Sequence, residues 1–118
     1  MILADTSVWL DHWRRGNPRL AESLGQGRIV VHPFVLGEIA LGAITSRAEV
    51  LKRLCKLHAP RLARNDEVLD FIERTPLWGR GIGWVDAHLL ATALLDHLRL
   101  WTLDRRLAKV AEELGLAI

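Results

Sequence analysis

The sequence has few of the features that mark secreted, membrane-bound or disordered proteins. Its 118 residues include one cysteine, Cys55, so no internal disulfide can form and nothing indicates secretion. No basic segment precedes the short apolar run at the N-terminus, so we expect no signal peptide. The longest apolar stretch, 85–95, is interrupted by Asp86 and His88 and is too short to cross a bilayer. We therefore expect a cytoplasmic protein with no membrane contact.

The composition predicts one globular domain spanning residues 1–118. Half of the residues are hydrophobic and a quarter are charged, which excludes a disordered chain. The chain shows no internal repeat, linker or low-complexity segment. A net charge of +2 permits an anionic partner without requiring one. The five histidines form no His-x-x-x-His pair, which argues against a zinc site.

Short apolar runs alternate with segments of helical periodicity. This alternation predicts a parallel α/β sheet of four or five short strands, with helices on both faces and right-handed crossovers. The predicted strands are 2–4, 28–31, 99–102 and 116–118. Seven helices are predicted. The first three run from Thr6 to a stop at Gly16, from Pro18 to about Gly25, and over 34–43. The other four run from a cap at Ser46 to a point before Pro60, from a start at 65–66, over about 84–98, and from Asp104 to Gly115.

Four carboxylates differ from the others in their sequence surroundings. Eight of the other ten acids have an Arg or Lys three or four positions away, which is typical of solvated helix faces. The four exceptions have apolar residues or glycine at most of these positions instead: Asp5, Glu38, Asp86 and Asp104. Glu38 is predicted in mid-helix, centred on an apolar stripe, where burial of a carboxylate is costly unless a partner is present.

Two explanations fit these four acids. Asp5, Asp86 and Asp104 lie near predicted helix starts, so each can simply cap a helix. Alternatively, all four share a divalent cation. Mg²⁺ prefers oxygen ligands and binds a few carboxylates together with waters and a substrate phosphate. Asp5 and Asp104 follow predicted strands, where ligands collect in parallel sheets, and the two helical acids can pack beside them.

Four short motifs in a fixed order resemble those of the PIN-domain nucleases, specifically the VapC-type toxins of bacterial toxin–antitoxin pairs. They are 4–9 (Ala-Asp-Thr-Ser-Val-Trp), 37–39 (Gly-Glu-Ile), 85–91 (Val-Asp-Ala-His-Leu-Leu-Ala) and 101–104 (Trp-Thr-Leu-Asp). The resemblance spans nearly the whole chain and implies a three-layer α/β fold. It also implies an endoribonuclease site that uses Mg²⁺ or Mn²⁺. The site would be made of Asp5, Glu38, Asp86 and Asp104, with Asp5 and Asp86 nearest the metal and Thr102 orienting Asp104.

Further expectations follow for chemistry and partners. A metal-activated water would attack phosphorus in line, which by resemblance leaves a 5′ phosphate and a free 3′ hydroxyl. The candidates for holding the RNA backbone are Arg14, Arg15, Arg80, Arg105 and Arg106. We interpret the glycine-rich segment 79–83 as a mobile loop near Asp86, flanked by Trp78 and Trp84, which suit packing or an interface better than base stacking. The resemblance implies a VapB-type antitoxin as partner and a homodimer.

Two other functions remain open from the sequence. One is a catalytically silent PIN-like module that binds RNA or protein, although such a module has no need to retain Glu38. The other is a nuclease directed at DNA, because the metal chemistry does not depend on the 2′ hydroxyl. A neighbouring gene for a DNA-binding antitoxin would decide the biological role.

Overall fold

The computed structural model describes residues 1–118 and contains the predicted alternation of strands and helices. The elements are β1 (Ile2–Ala4), α1 (Thr6–Arg15), α2 (Pro18–Gly25), β2 (Ile29–Val30), α3 (Pro33–Ala40), α4 (Arg47–Leu54), α5 (Asn65–Arg74), α6 (Trp84–Leu95), β3 (Arg99–Trp101) and α7 (Arg105–Glu113). All seven predicted helices are present. None of them is long and apolar enough to cross a membrane.

The sheet is parallel, in the order β2-β1-β3, so the N-terminal strand lies at its centre. The prediction of four or five strands was wrong: the sheet has three. The predicted last strand, 116–118, is reduced to a bridge between Ala117 and Leu100, and a second bridge joins His58 to Val30. The Arg99 guanidinium donates to the Ala117 carbonyl at 2.8 Å. That carbonyl therefore accepts a hydrogen bond from a side chain rather than from the backbone of a neighbouring strand.

Several helix ends differ from the prediction for local reasons. α3 ends at Ala40, three residues early, and the chain then turns through Gly42. α6 ends at Leu95 rather than 98, because His97 adopts a left-handed backbone conformation with φ of 54°. Ser46 precedes α4 as predicted, yet it also has a positive φ and its side chain makes no capping hydrogen bond. Its role as a side-chain cap was therefore predicted wrongly.

A single hydrophobic core fixes the sheet against the helices. β1 contributes Leu3 and Ala4, both fully buried, and β3 contributes Leu100. α6 is the most enclosed helix, since every residue from Ala87 to Ala93 is buried. Complete burial of one large aliphatic side chain is worth about 1.5–3 kcal/mol. The core therefore holds rigidly both the end of β1 and the start of α6, the two places where Asp5 and Asp86 lie.

Candidate active site

Asp5 lies at the carboxyl end of the central strand and is almost completely buried. Its backbone N–H donates to the Trp101 carbonyl at 3.0 Å, which continues the pairing of β1 with β3 by one residue. Its side chain caps α1 by accepting from the Val8 N–H at 3.4 Å, and only 7% of the residue is exposed. The strand-to-helix junction that the sequence predicts therefore places this carboxylate between two strands and a helix start.

Two hydroxyl groups hold the Asp5 carboxylate in one orientation. Ser7 Oγ donates to Asp5 Oδ1 and accepts from the Leu103 N–H at 3.0 Å. Thr102 Oγ1 donates to Asp5 Oδ2 and accepts from the Asp104 N–H at 3.0 Å. Because a backbone N–H occupies a lone pair of each hydroxyl, each O–H proton is directed at Asp5. Thr102 contacts Asp104, the residue that it was predicted to orient, through the Asp104 backbone N–H, and its hydroxyl also orients the Asp5 side chain.

The surroundings of Asp5 disfavour the charged form of its carboxyl group despite these hydrogen-bond donors. Burial raises the pKa of the Asp5 carboxyl above its ordinary value of 3.8. The hydrogen bonds from Ser7, Thr102 and the Val8 N–H lower the pKa, but they offset the effect of burial only in part. The carboxylate is thus well oriented but lacks a positive partner.

Asp86 is the second carboxylate with a perturbed pKa. It lies in the first turn of α6, where its Oδ2 accepts from the Gly83 N–H at 3.2 Å. Partial burial is the largest cause that raises the pKa of Asp86, and the negative charges of Asp104, Asp5 and Glu38 raise it further. All three other candidates therefore lie close enough to act on Asp86, so the structure brings the four predicted carboxylates into one electrostatic neighbourhood.

Glu38 and Asp104 are exposed members of this group. Glu38 accepts a hydrogen bond from Thr6 Oγ1 at 2.7 Å. Its predicted burial on an apolar stripe was wrong, because Leu41 on that stripe is 91% exposed and Phe34 is 38% exposed. Asp104 caps α7, accepting from the N–H groups of Arg106 at 2.9 Å and Leu107 at 3.1 Å. Capping therefore explains part of the placement of Asp104, as it does for Asp5 and Asp86.

The four side chains fit a hard divalent cation in chemistry, although they do not form a finished cage. None of them makes a salt bridge, whereas six other acids do. No three His, Cys, Asp or Glu side chains are arranged around one point to hold a metal ion. Mg²⁺ retains several waters and commonly takes only one or two carboxylates directly. Carboxylate oxygens that have no cationic partner, around a site partly open to solvent, match that requirement.

The candidate RNA-binding arginines divide into two groups. Arg15 pairs with Asp11 at 2.6 Å, and Arg80 makes two bonds to Glu113, at 2.9 and 2.6 Å, so both are already neutralised. The three remaining arginines are exposed and form no salt bridge: Arg14, Arg105 and Arg106.

Arg106 also packs on the loop before α6. A Cβ at Gly81 would lie 2.5 Å from Arg106 Nη1, and Gly81 has a φ of 76°, so a larger residue there would be strained and would displace the Arg106 side chain. Arg80 ties the same loop to α7 through Glu113. One free guanidinium is therefore held next to the loop that leads to Asp86.

An aromatic cluster beside the site was not predicted as a unit. His88 is 2% exposed and packs edge-on against Trp84 at 4.5 Å and Phe34 at 4.7 Å between ring centroids. His32 caps α3 through Nδ1, which accepts from the Phe34 N–H at 2.9 Å. Burial, and then the nearby His88, lower the pKa of His32 to about 4. The only sequence signal was a histidine directly before Pro33, a common position for a helix cap.

Comparisons with known proteins agree with this geometry. Residues 2–113 match the model of the PIN domain. The chain is 47% identical over 119 residues to Ribonuclease VapC32 of Mycobacterium tuberculosis, in strains CDC 1551 / Oshkosh and H37Rv, covering 100% of this chain and 96% of each relative. The crystal structure of PAE2754 from Pyrobaculum aerophilum matches with a TM-score of 0.59 at 18% identity, covering 97% of this chain and 88% of that one. The last likeness supports the fold alone. The chain belongs to the PIN domain family, and within it to the VapC-type ribonucleases.

Proposed function

We propose that the chain is a metal-dependent endoribonuclease that acts as the toxin of a toxin–antitoxin pair. The observation that carries the proposal is the group of four mutually repelling carboxylates, none of which has a cationic partner. The name of the relatives at 47% identity, Ribonuclease VapC32, supports RNA as the substrate. Asp5 and Asp86 are the proposed direct ligands of Mg²⁺ or Mn²⁺, and Glu38 and Asp104 complete the site.

Each residue has a distinct part in the proposed reaction. A bound divalent cation supplies positive charge to the phosphate and a more acidic water. Asp5, fixed by Ser7 and Thr102, sets the position of the site, while Glu38 is exposed and available to accept the proton of the attacking water. Arg106 is placed to balance charge on the phosphate. Attack of the water oxygen on phosphorus breaks the bond to the 3′ oxygen, which takes up a proton from solvent, leaving a 3′ hydroxyl and a 5′ phosphate.

The first experiment measures cleavage of a structured RNA with Mg²⁺ or Mn²⁺ and with EDTA. Asp5→Asn should reduce cleavage on the order of a thousandfold, because it removes a ligand while leaving the helix cap in place. The matched control is Asp70→Asn, which removes one negative charge from a surface pair with Arg74 and should leave the rate nearly unchanged. Full cleavage in EDTA with trace metal excluded would contradict the proposal.

We also propose a homodimer and a VapB-type antitoxin whose C-terminal segment lies beside the first helices. Supporting this, Leu10, Trp13 and Ile44 line an open groove of about 380 Å³ next to α1, and Arg14 lies at its margin. Trp78 is 63% exposed and Trp84 44%, as suits interface anchors. Trp9 is not one of these anchors, because it is 2% exposed and stacks on Trp13.

Light scattering and inhibition assays test these partners separately. The free protein should have twice the monomer mass, and added antitoxin should suppress cleavage because an arginine of its segment replaces the cation among the carboxylates. A monomer at tens of micromolar would contradict the dimer. Binding of antitoxin without loss of cleavage would contradict the blocked site.

A further inference from the structure

A second charged cleft lies at the opposite edge of the sheet from the carboxylates. Its volume is about 460 Å³, and Arg19, Arg28 and Arg99 line it. Arg28 immediately precedes β2 and Arg99 begins β3, so both lie at the amino ends of strands, and Arg19 comes from the first turn of α2. None of these three arginines belongs to the candidate active site.

Each of these arginines is oriented by a neutral partner rather than by a carboxylate. Arg99 Nη1 donates to the Ala117 carbonyl at 2.8 Å, and Arg28 Nη1 donates to Gln26 Oε1 at 3.3 Å. The Arg19 guanidinium lies 5.3 Å from the centre of the Trp101 ring. A guanidinium has five N–H donors, so most of them remain free in each case. The contacts therefore orient the positive charges without neutralising them.

Half of the ten other arginines are neutralised by a carboxylate, whereas none of the three in the cleft is. Five arginines pair with carboxylates, and they are Arg15, Arg53, Arg64, Arg74 and Arg80. In the cleft, the only acidic side chain is Glu22, against three guanidinium groups. An excess of fixed positive charge in a concave site attracts a phosphate group, and arginine binds phosphate through two parallel hydrogen bonds.

A smaller groove adjoins this cleft. It has a volume of about 180 Å³ and runs along β3, past Leu100 and Trp101, to Thr102. Arg19 lines both the groove and the cleft, while Thr102 at the other end binds Asp5. A strand of three residues spans about 10 Å, so the two sites lie within reach of one short nucleic-acid segment.

We infer that Arg19, Arg28 and Arg99 form a second binding site, which takes a phosphodiester group of the RNA outside the cleavage site. The inference rests on the proposed function for its ligand, since RNA is the polyanion that the active site would hold. The site fixes the RNA on the protein without reading its sequence, because phosphate contacts position a nucleic acid and base contacts specify it.

Binding of single-stranded RNA in EDTA isolates this site from catalysis. Without metal the carboxylate edge repels RNA, so the basic cleft should dominate attachment. The double variant Arg28→Gln, Arg99→Gln should weaken binding about tenfold in fluorescence anisotropy. It should also lower the slope of log affinity against log salt by about 1.4, since each single-strand phosphate contact contributes about 0.7. Arg28→Gln alone should lower the slope by about half as much.

The matched control is Arg53→Gln, Arg74→Gln, which removes the same net charge from arginines already paired with Glu49 and Asp70. An equal loss of affinity in this control, or an unchanged salt slope in the cleft variants, would overturn the inference. Cleavage with Mg²⁺ is scored separately. A protein that binds RNA through the cleft but never cleaves it would refute the proposed function and leave the cleft in place.

Discussion

The two edges of the parallel sheet carry charge in opposite ways. At the carboxyl edge, Asp5 is buried and Asp86 is partly buried, hydrogen bonds orient both side chains, and burial raises both pKa values. At the amino edge, Arg28 and Arg99 are exposed and held by neutral acceptors. The difference teaches that unpaired charge at the carboxyl edge lowers stability, whereas charge at the amino edge stays hydrated and costs little.

This contrast explains why burial at the carboxyl edge should make stability depend on pH. Its carboxylates and two buried histidines have perturbed pKa values: Asp5, Asp86, His32 and His88. Groups with shifted pKa values bind protons differently in the folded and unfolded states, so their contribution to stability changes with pH.

His32 should produce the largest pH effect. Its folded-state pKa of about 4 lies below the ordinary value of 6.5, so the unfolded chain binds more protons between these values. Stability is therefore fully present above pH 6.5 and falls as the pH drops to about 4, by up to about 3 kcal/mol. His32→Asn keeps an acceptor for the Phe34 N–H, and its urea-unfolding free energy should lack this component. An identical pH slope in variant and wild type would contradict the prediction.

Thr102 should affect catalysis next most strongly. Thr102→Val removes the hydroxyl that orients Asp5 while keeping the shape of the side chain, and should slow RNA cleavage about 10- to 100-fold. Thr102→Ser retains the hydroxyl and should recover most of the rate. Mn²⁺ affinity, measured by electron paramagnetic resonance, should fall in Thr102→Val and return in Thr102→Ser. Equal rates for the two variants would show that the hydroxyl does not position Asp5.

Asp86→Asn should produce the smallest change in stability, and the sign of that change should depend on metal. The folded-state pKa of Asp86 is raised, so its contribution to stability is present below pH 3.8 and is lost as the pH rises through the folded-state value. Near neutral pH in EDTA, the variant should therefore be more stable than the wild type, because it removes a partly buried charge and its repulsion by the other carboxylates. Melting curves with added Mg²⁺ should reverse the order. A variant less stable than wild type in EDTA would be evidence against mutual repulsion.

Much of the fold and the candidate carboxylates could be predicted from local patterns. The strand at 2–4 and the helix after it place Asp5 correctly, and Asp104 was expected at the start of α7. The same reasoning misplaced Glu38, because three- and four-residue spacing identifies the residues on one helix face but does not reveal whether that face meets the core. It also missed that Ser7 orients the Asp5 carboxylate. The Leu103 N–H that directs the Ser7 hydroxyl at Asp5 lies 96 positions away along the chain.

The sequence by itself determined the alternation of strands and helices, the acids without local cations and the family motifs, because each depends on near neighbours along the chain. Only the tertiary structure decided which charges remain free. The parallel register of β1 and β3 brings Thr102 to Asp5 across 97 positions, and the packing of α7 against the loop neutralises Arg80 but not Arg106. Those outcomes depend on contacts between segments distant in sequence, and local periodicity carries no information about such contacts.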